Sequence, residues 1–410
     1  MTRMKDSGIE WIGEVPEEWG ITKLKYICRM QSGNNLTSLE ISSENDGGKI
    51  FPVYGGNGQR GYYSDFTNEG NYCLVGRQGA LAGNVHFVSG KFWATDHAIV
   101  VYEHTHTYSK YLCYLLKAMN LNQYAFETSA QPGLSVEKIL QLEMIHCPKG
   151  EQTQIADFLD KKVAQLDEVK SLLEEQIKTL EDYRRSLIYE TVTKGLDKTV
   201  PLKDSGVDWI GQIPEGWGVK PIKYCSRFQR GFGFPVELQG NDDGEIPFYK
   251  VSDLRGNSDE ISISKNYVDL QTAKQNAWVI VPSGAIIAPV IGAALLNNNR
   301  KISTVPFISD NNTLAIIPNN KNKYFYYLFK VIDMNWFNNS STIPAVNISK
   351  LANQIVPTPK EEEQKQIADF LEVQIIKIDK LIEIKQKQIN NINQQRQTLI
   401  YDVVTGKRRV

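Results

Sequence analysis

Residues 151–195, EQTQIADFLDKKVAQLDEVKSLLEEQIKTLEDYRRSLIYETVTKG, return as residues 363–407, EQKQIADFLEVQIIKIDKLIEIKQKQINNINQQRQTLIYDVVTGK. The offset is 212 from Glu151/Glu363 through Tyr189/Tyr401, with QIADFL intact. In the first copy Leu159, Leu166, Leu173, Leu180 and Leu187 recur every seven residues, with no proline and no glycine before Gly195. The second copy keeps the phase with Leu371, Ile378, Lys385, Ile392 and Leu399, flanked by Ile375, Ile382 and Ile389. A sustained seven-residue apolar period demands a helix that packs along another helix. About 40 helical residues would span ~60 Å. Glu151, after Pro148 and Gly150, suits a helix start, and Gly195 suits the stop. In the first copy Lys162, Val169, Gln176 and Tyr183 take the d-like positions, and Val163 and Ile177 the e-like ones. Two matching heptad helices in one chain most simply pair with each other. Antiparallel pairing would put the globular segments at opposite ends of a rod, related by a pseudo-twofold axis.

A second, shorter repeat precedes each globular segment. KDSGIEWIGEVPEEWG (5–20) and KDSGVDWIGQIPEGWG (203–218) share 11 of 16 residues at an offset of 198. The two offsets differ by 14, so the second intervening block is longer by 14: residues 219–362 number 144, residues 21–150 number 130. Both blocks mix strand-like runs (YCLVG 72–76, AIVVY 98–102, WVIVP 278–282, TLAIIP 313–318) with helical stretches at 108–120 and 323–335. The fold class is therefore α+β, with a globular domain over 1–150, a long helix over 151–195, a second globular domain over 196–362 and a second long helix over 363–410. The first helix runs through TVTKGLDKTVPL into the second KDSG segment, whereas the second ends at VVTGKRRV, and its matching continuation is residues 5–20. This circular order predicts that 5–20 lies against the end of the second helix, with Trp11, Trp19, Trp209 and Trp217 packing the base of each domain on the helices.

Composition narrows function mostly by exclusion. A net charge of −1 gives no global nucleic-acid signature, although each block is slightly basic: 11 Lys+Arg against 10 Asp+Glu in the first, 15 against 12 in the second. Five scattered cysteines form no CxxC pair. The start of the chain lacks the apolar core of a signal peptide, and no apolar run approaches membrane-spanning length, so a cytoplasmic location is expected. No P-loop, methyltransferase tetrapeptide, GxSxG, HExxH, kinase set or acidic nuclease cluster is present. His104 and His106 lack a third ligand, so no metal is expected.

Several loops carry the side chains that reach phosphates and base edges. GNGQRG (56–61) fits GxGxxG literally, but YYSDFTNEG follows it rather than a helix, which argues against a dinucleotide site. An exposed loop bearing Asn57, Gln59, Arg60, Tyr62 and Tyr63 fits better, and so does a plain β-hairpin. Arg77, Gln78 and Lys91 add to the first block. Arg230, Phe232, Lys250, Ser252, Arg255, Asn298, Arg300 and Lys301 are the DNA-contact candidates of the second.

KDSGxxWIGxxPExWG before each block and EQxxIADFL opening each long helix resemble the specificity subunit of type I restriction–modification systems, in order and over essentially the whole chain. The resemblance implies two target recognition domains, each reading half of a bipartite site in double-stranded DNA. It implies an antiparallel coiled coil that sets the gap between half-sites. It also implies docking of two modification (methyltransferase) subunits, joined by up to two restriction (translocase and nuclease) subunits. S-adenosylmethionine, ATP and Mg would then belong to those partners, with no cofactor and no catalytic residue in this chain. The alternative from another class is a two-site scaffold that binds no DNA.

Overall fold

In the computed structural model, each KDSG segment is a small β-hairpin. Met4–Asp6 pairs with Glu14–Pro16, and Leu202–Asp204 with Gln212–Pro214, in the same register. The structure describes residues 3–79, 81–128, 131–256, 258–295, 297–339 and 343–410. These fall into two compact units: residues 1–175 with 385–410, and residues 176–384. The two long helices, Lys149–Lys194 and Glu361–Val404, each contribute one part to either unit.

The first unit is built on a six-stranded sheet. Its strand order is Cys28–Ser32, Ala98–Glu103, Asn68–Gly76, Val85–Ala94, Phe51–Gly55, Gly58–Tyr63. The helix Ser109–Ala118 packs on it through Tyr111, Leu112, Leu115 and Leu116, all buried. The second unit has a five-stranded sheet, ordered Ser226–Arg230, Thr313–Pro318, Ile286–Pro289, Lys301–Ser303, Glu260–Ile261. A three-stranded sheet of Tyr267–Val268, Ile246–Tyr249 and Ile308–Ser309 accompanies it. The run 278–282 is not a strand, since only Val281 forms a bridge, to Phe307.

Beneath different sheets lies one scaffold. Each block closes with a strand that pairs antiparallel with the segment after its hairpin: Glu143–His146 with Gly20–Lys23, and Ile355–Thr358 with Gly218–Pro221. That pairing sets the start of each long helix. Gln152 and Gln364, buried at those starts, donate to the carbonyls of Cys147 (2.8 Å) and Pro359 (2.9 Å). Gln152 also accepts the Tyr108 amide at 2.8 Å, and Gln364 the Asn320 amide group at 3.1 Å. Gly33 and Gly231 end equivalent strands where a Cβ would overlap the carbonyl oxygens of Ala94 and Asp310, so only glycine allows this approach of the backbones.

The hairpins dock as the circular order predicts. In the first unit the Trp19 indole donates to Glu151 at 2.9 Å, and the Tyr401 hydroxyl to the Trp11 carbonyl at 2.9 Å. In the second, Trp217 donates to Glu363 at 2.9 Å and Tyr189 to the Trp209 carbonyl at 3.0 Å. Left-handed glycines terminate both helices, Gly195 (φ 73°) against Trp217 and Gly406 (φ 74°) against Trp19.

Within each unit the helix segments run antiparallel. Glu151 meets Arg409 and Asp167 meets Arg396 (3.7 Å) in the first; Arg184 meets Asp379 at 2.6 Å in the second. The offset of 212 carries Asp167 onto Asp379 and Arg184 onto Arg396, so one contact is made twice. Leu159, Leu371 and Ile378 are buried, and Leu166, Leu173, Leu180, Leu187, Ile392 and Leu399 half-buried, as the heptads require. The second seam position differs from the sequence expectation. Lys162, Val169, Gln176 and Tyr183 face solvent, whereas Val163 is buried and Ile177 and Arg184 are half-buried. The seam therefore steps four and then three residues from each leucine, which places Arg184 and Arg396 in it.

Among the described residues no helix is long and apolar enough to cross a membrane, and no group of three His, Cys, Asp or Glu could hold a metal ion. Cys28 and Cys147 are buried thiols, pushed up to about 12 by desolvation, which makes them inert.

Reversing one seam charge, Arg184→Asp, should cost roughly 1 kcal/mol, because the pair is partly exposed. Adding Asp379→Arg should recover most of it. Urea unfolding of the single and double variants measures this, and a double variant less stable than both singles would deny that the two side chains stabilise each other.

Candidate nucleic-acid interface

The candidate side chains separate by what they touch. GNGQRG lies in a hairpin, Phe51–Gly55 paired with Gly58–Tyr63, and no helix follows it. Asn57 sits at the turn and accepts from the Asn84 side chain at 3.2 Å. Gln59 and Arg60 are exposed on the outgoing strand. Tyr62 and Tyr63 are half-buried; Tyr62 exchanges backbone hydrogen bonds with Ser42, and Tyr63 stands edge-on to Trp93 at 5.1 Å. Lys91 is exposed, 3.8 Å from Glu69 and over the Phe66 ring at 4.7 Å.

Arg77 and Gln78 follow the central strand of the same sheet. The structure brings them together with Gln31, Ser32, Ser135 and Lys138 around an open cleft of about 610 Å³. None of its lining residues is acidic. The local cause is a short connection: Gly33 folds the edge strand back against Ala94, and Ser135 caps the small helix Val136–Leu140, so that Lys138 faces the strand carrying Gln31.

In the second unit Arg230, Ser252 and Arg255 are exposed. Lys250 is half-buried and donates to Gln239 at 2.9 Å, at the start of the short turn Val251–Leu254. Phe232 packs partly against the cluster around Phe248. Three candidates serve the interior instead. Arg300 is 3% exposed and donates to the Ile332 carbonyl at 2.8 Å and to the Asn298 side chain. Burial pulls its guanidinium down to about 10. Asn298 holds a left-handed turn (φ 54°), and its side-chain oxygen also accepts the Met334 amide at 3.1 Å. Lys301 is 5% exposed, in a sheet strand. The basic run that looks like a phosphate contact in sequence is thus an internal brace in which Arg300 satisfies carbonyls that helix and turn leave open.

One repeated surface has no counterpart among the sequence candidates. At the offset of 198 the identities continue past the hairpin: Lys25/Lys223, Tyr26/Tyr224, Arg29/Arg227, Gln31/Gln229 and Gly33/Gly231. Tyr26 is 67% exposed and Tyr224 65%. In both units the lysine lies over its tyrosine ring, at 5.1 and 5.3 Å, and donates to Gln141 (3.3 Å) or Asn353 (2.7 Å). The signal was the spacing K-Y-x-x-R-x-Q-x-G, in which the intervening residues differ.

Residues 16–180 and 214–394 both match the type I restriction modification DNA specificity domain. The chain belongs to that family, with two copies of its domain. It is 41% identical over 138 residues to the Type I restriction enzyme EcoprrI specificity subunit of Escherichia coli, a match covering 34% of either chain. Over 443 residues it is 24% identical to the EcoBI specificity subunit of the same organism, covering 98% of this chain and 89% of the relative. Among solved structures it is similar in fold to a chain from a study of complex assembly and conformational transition in the type I R-M system. That likeness has a TM-score of 0.69 and 13% identity, over 96% of this chain and 99% of that one.

Arg300→Ala should lower stability by about 2–3 kcal/mol, the cost of buried acceptors that lose a charged donor. Arg255→Ala, at an exposed position, should change stability little. Denaturant midpoints of the two variants test the division into internal and external candidates.

Proposed function

We propose that this chain is the DNA sequence-specificity subunit of a type I restriction–modification complex, each unit reading one half of a bipartite double-stranded site. The observation that supports this reading most is the contrast within the pair of units. The hairpin, the helix junction and the strand closure are alike, while the surfaces hung on them differ. Partners met twice in the same form need matched frames, and a target with two unlike halves needs unlike surfaces. The subunit supplies the address. Methyl transfer from S-adenosylmethionine to adenine belongs to two modification subunits, and ATP- and Mg-dependent translocation and cleavage to restriction subunits. The exposed Lys25–Tyr26 and Lys223–Tyr224 pairs, equal in both units, suit a partner encountered twice. The complex works in the cytoplasm, where the DNA is.

Co-expression with the modification subunits, followed by sequencing of methylated adenines, should return a single motif with two specific parts and an unspecific gap. An undivided motif from an assembled complex would refute the bipartite reading. Inserting one heptad into both long helices should change the gap and leave both half-sites intact; an unaltered gap would refute the spacing role of the helices.

A further inference from the structure

Two loops, one in each unit, share a backbone and differ in side chains. In the first unit the strand Asn68–Gly76 runs into Arg77–Gln78. There the Arg77 amide donates to the His97 carbonyl, the Leu134 amide donates to the Arg77 carbonyl, and Gln78 bridges Gly133. In the second unit Ile286–Pro289 runs into Val290–Ile291. The Val290 amide donates to the Asn312 carbonyl, the Val346 amide to the Val290 carbonyl, and Ile291 bridges Ala345. A left-handed glycine follows each, Gly79 at φ 86° and Gly292 at φ 83°. The scaffold therefore holds this loop in one conformation regardless of whether it carries arginine or valine.

The side chains are what vary. Arg77 is half-buried at the open cleft, and among the described residues its guanidinium makes no hydrogen bond or ion pair. Five donors without an acceptor, in a cleft with no carboxylate, call for an acceptor from outside the chain. Gln78, exposed beside it, adds a donor and an acceptor. In the second unit Val290 turns into the core and Ile291 is 42% exposed, so the same place offers methyl groups and no hydrogen bond.

Resting on the DNA reading above, we infer that this loop is a base-reading position shared by both units. Arg77, with Gln78, reads a G·C pair in the first half-site, the guanidinium donating to O6 and N7 of guanine. Ile291 reads a T·A pair at the corresponding place of the second half-site by contact with the thymine methyl. The matched backbone explains why the two halves can read different sequences with no change in how either unit meets the duplex.

The test uses the whole complex with its modification subunits, and methylation is scored on a library randomised at every position of the wild-type motif. Arg77→Ala should lose discrimination at one G·C pair of the first half-site, by roughly 10- to 100-fold, with the second half-site unchanged. Ile291→Gln should do the converse, changing one position of the second half-site alone. If Arg77→Ala does not assemble, Arg77→Gln, which keeps much of the length and cannot donate to both O6 and N7 of guanine, should show the same local loss. An unchanged motif for these variants, beside a bipartite wild-type map, overturns this inference and leaves the functional reading standing. A uniform loss across all sites with a shallower salt dependence also overturns it, making Arg77 a phosphate contact. A wild-type complex that yields no bipartite motif brings down the functional reading itself.

Discussion

Each unit depends on one junction, where a tryptophan from the hairpin segment meets the glutamate at the third position of a long helix. Trp19 is fully buried, and its indole N–H finds its acceptor in Glu151; Trp217 and Glu363 repeat the arrangement. A buried indole needs that acceptor, and a hydrogen bond to a charged group contributes roughly 1.5–3 kcal/mol. The junction joins parts far apart in sequence. In the first unit the hairpin meets the start of one long helix and, through Tyr401 and Gly406, the end of the other. Ile155, Leu159, Ile400 and Val403 enter the same core as Trp19, so the domain core and the helix pair are one packed body within the unit. A displaced hairpin would uncover the indole, release the Tyr401 hydroxyl and open the core together.

With the junction fixed, variation is channelled. Equivalent strands can be followed through both units by their pairing. Cys28↔Glu103 matches Ser226↔Pro318, and Cys73↔Val101 matches Ile286↔Ile316. The offset is 198 at the first strand, 213 at the second and 215 at the third, and it returns to 212 at the closing strand. Most of the added length in the second unit therefore falls between Gly231 and Ile286, where the strands Ile246–Tyr249 and Tyr267–Val268 lie. The first unit uses the corresponding interval for the hairpin that bears Asn57 and Arg60. Insertions there leave the paired central strands and the junction untouched, so surface change carries little cost in stability.

Much of this was legible in the sequence because it is periodic or repeated. The heptads gave the helices, the two offsets gave the two-part order, and the broken continuity at VVTGKRRV pointed to residues 5–20 lying against the end of the second helix. What escaped was whatever depends on burial. Arg300 and Arg77 look alike as letters, yet one bonds to interior carbonyls and the other faces a cleft, because Asn298 turns the chain inward while Gly79 follows an open loop. The second seam position was misplaced although the second copy carries its signal: Ile375, Ile382 and Ile389 lie four residues after Leu371, Ile378 and Lys385, whereas the first copy mixes apolar and polar residues at both spacings. The alikeness of the blocks escaped because shifting offsets erase any alignment at a fixed distance, while backbone pairing survives them.

The seam arginines bear on how such helices can act as a measure of distance. Arginine in a helix seam is weaker than isoleucine as packing, and Arg184 and Arg396 stand where Ile375 and Ile389 show that an apolar residue fits. What they add is one charged pair at the same place in each unit. A slip of one heptad would set Arg184 opposite Glu372 or Gln386 in place of Asp379, so its donors would still find an acceptor. The same slip would set Arg396 opposite Asp160 or Glu174 in place of Asp167, so neither pair alone selects the register. The aliphatic positions tolerate the same slip, because each leucine would find an equivalent hole. What fixes the register is therefore the junction at the base of each unit, where Trp19 with Glu151 and Trp217 with Glu363 tie the helix starts to the domain cores.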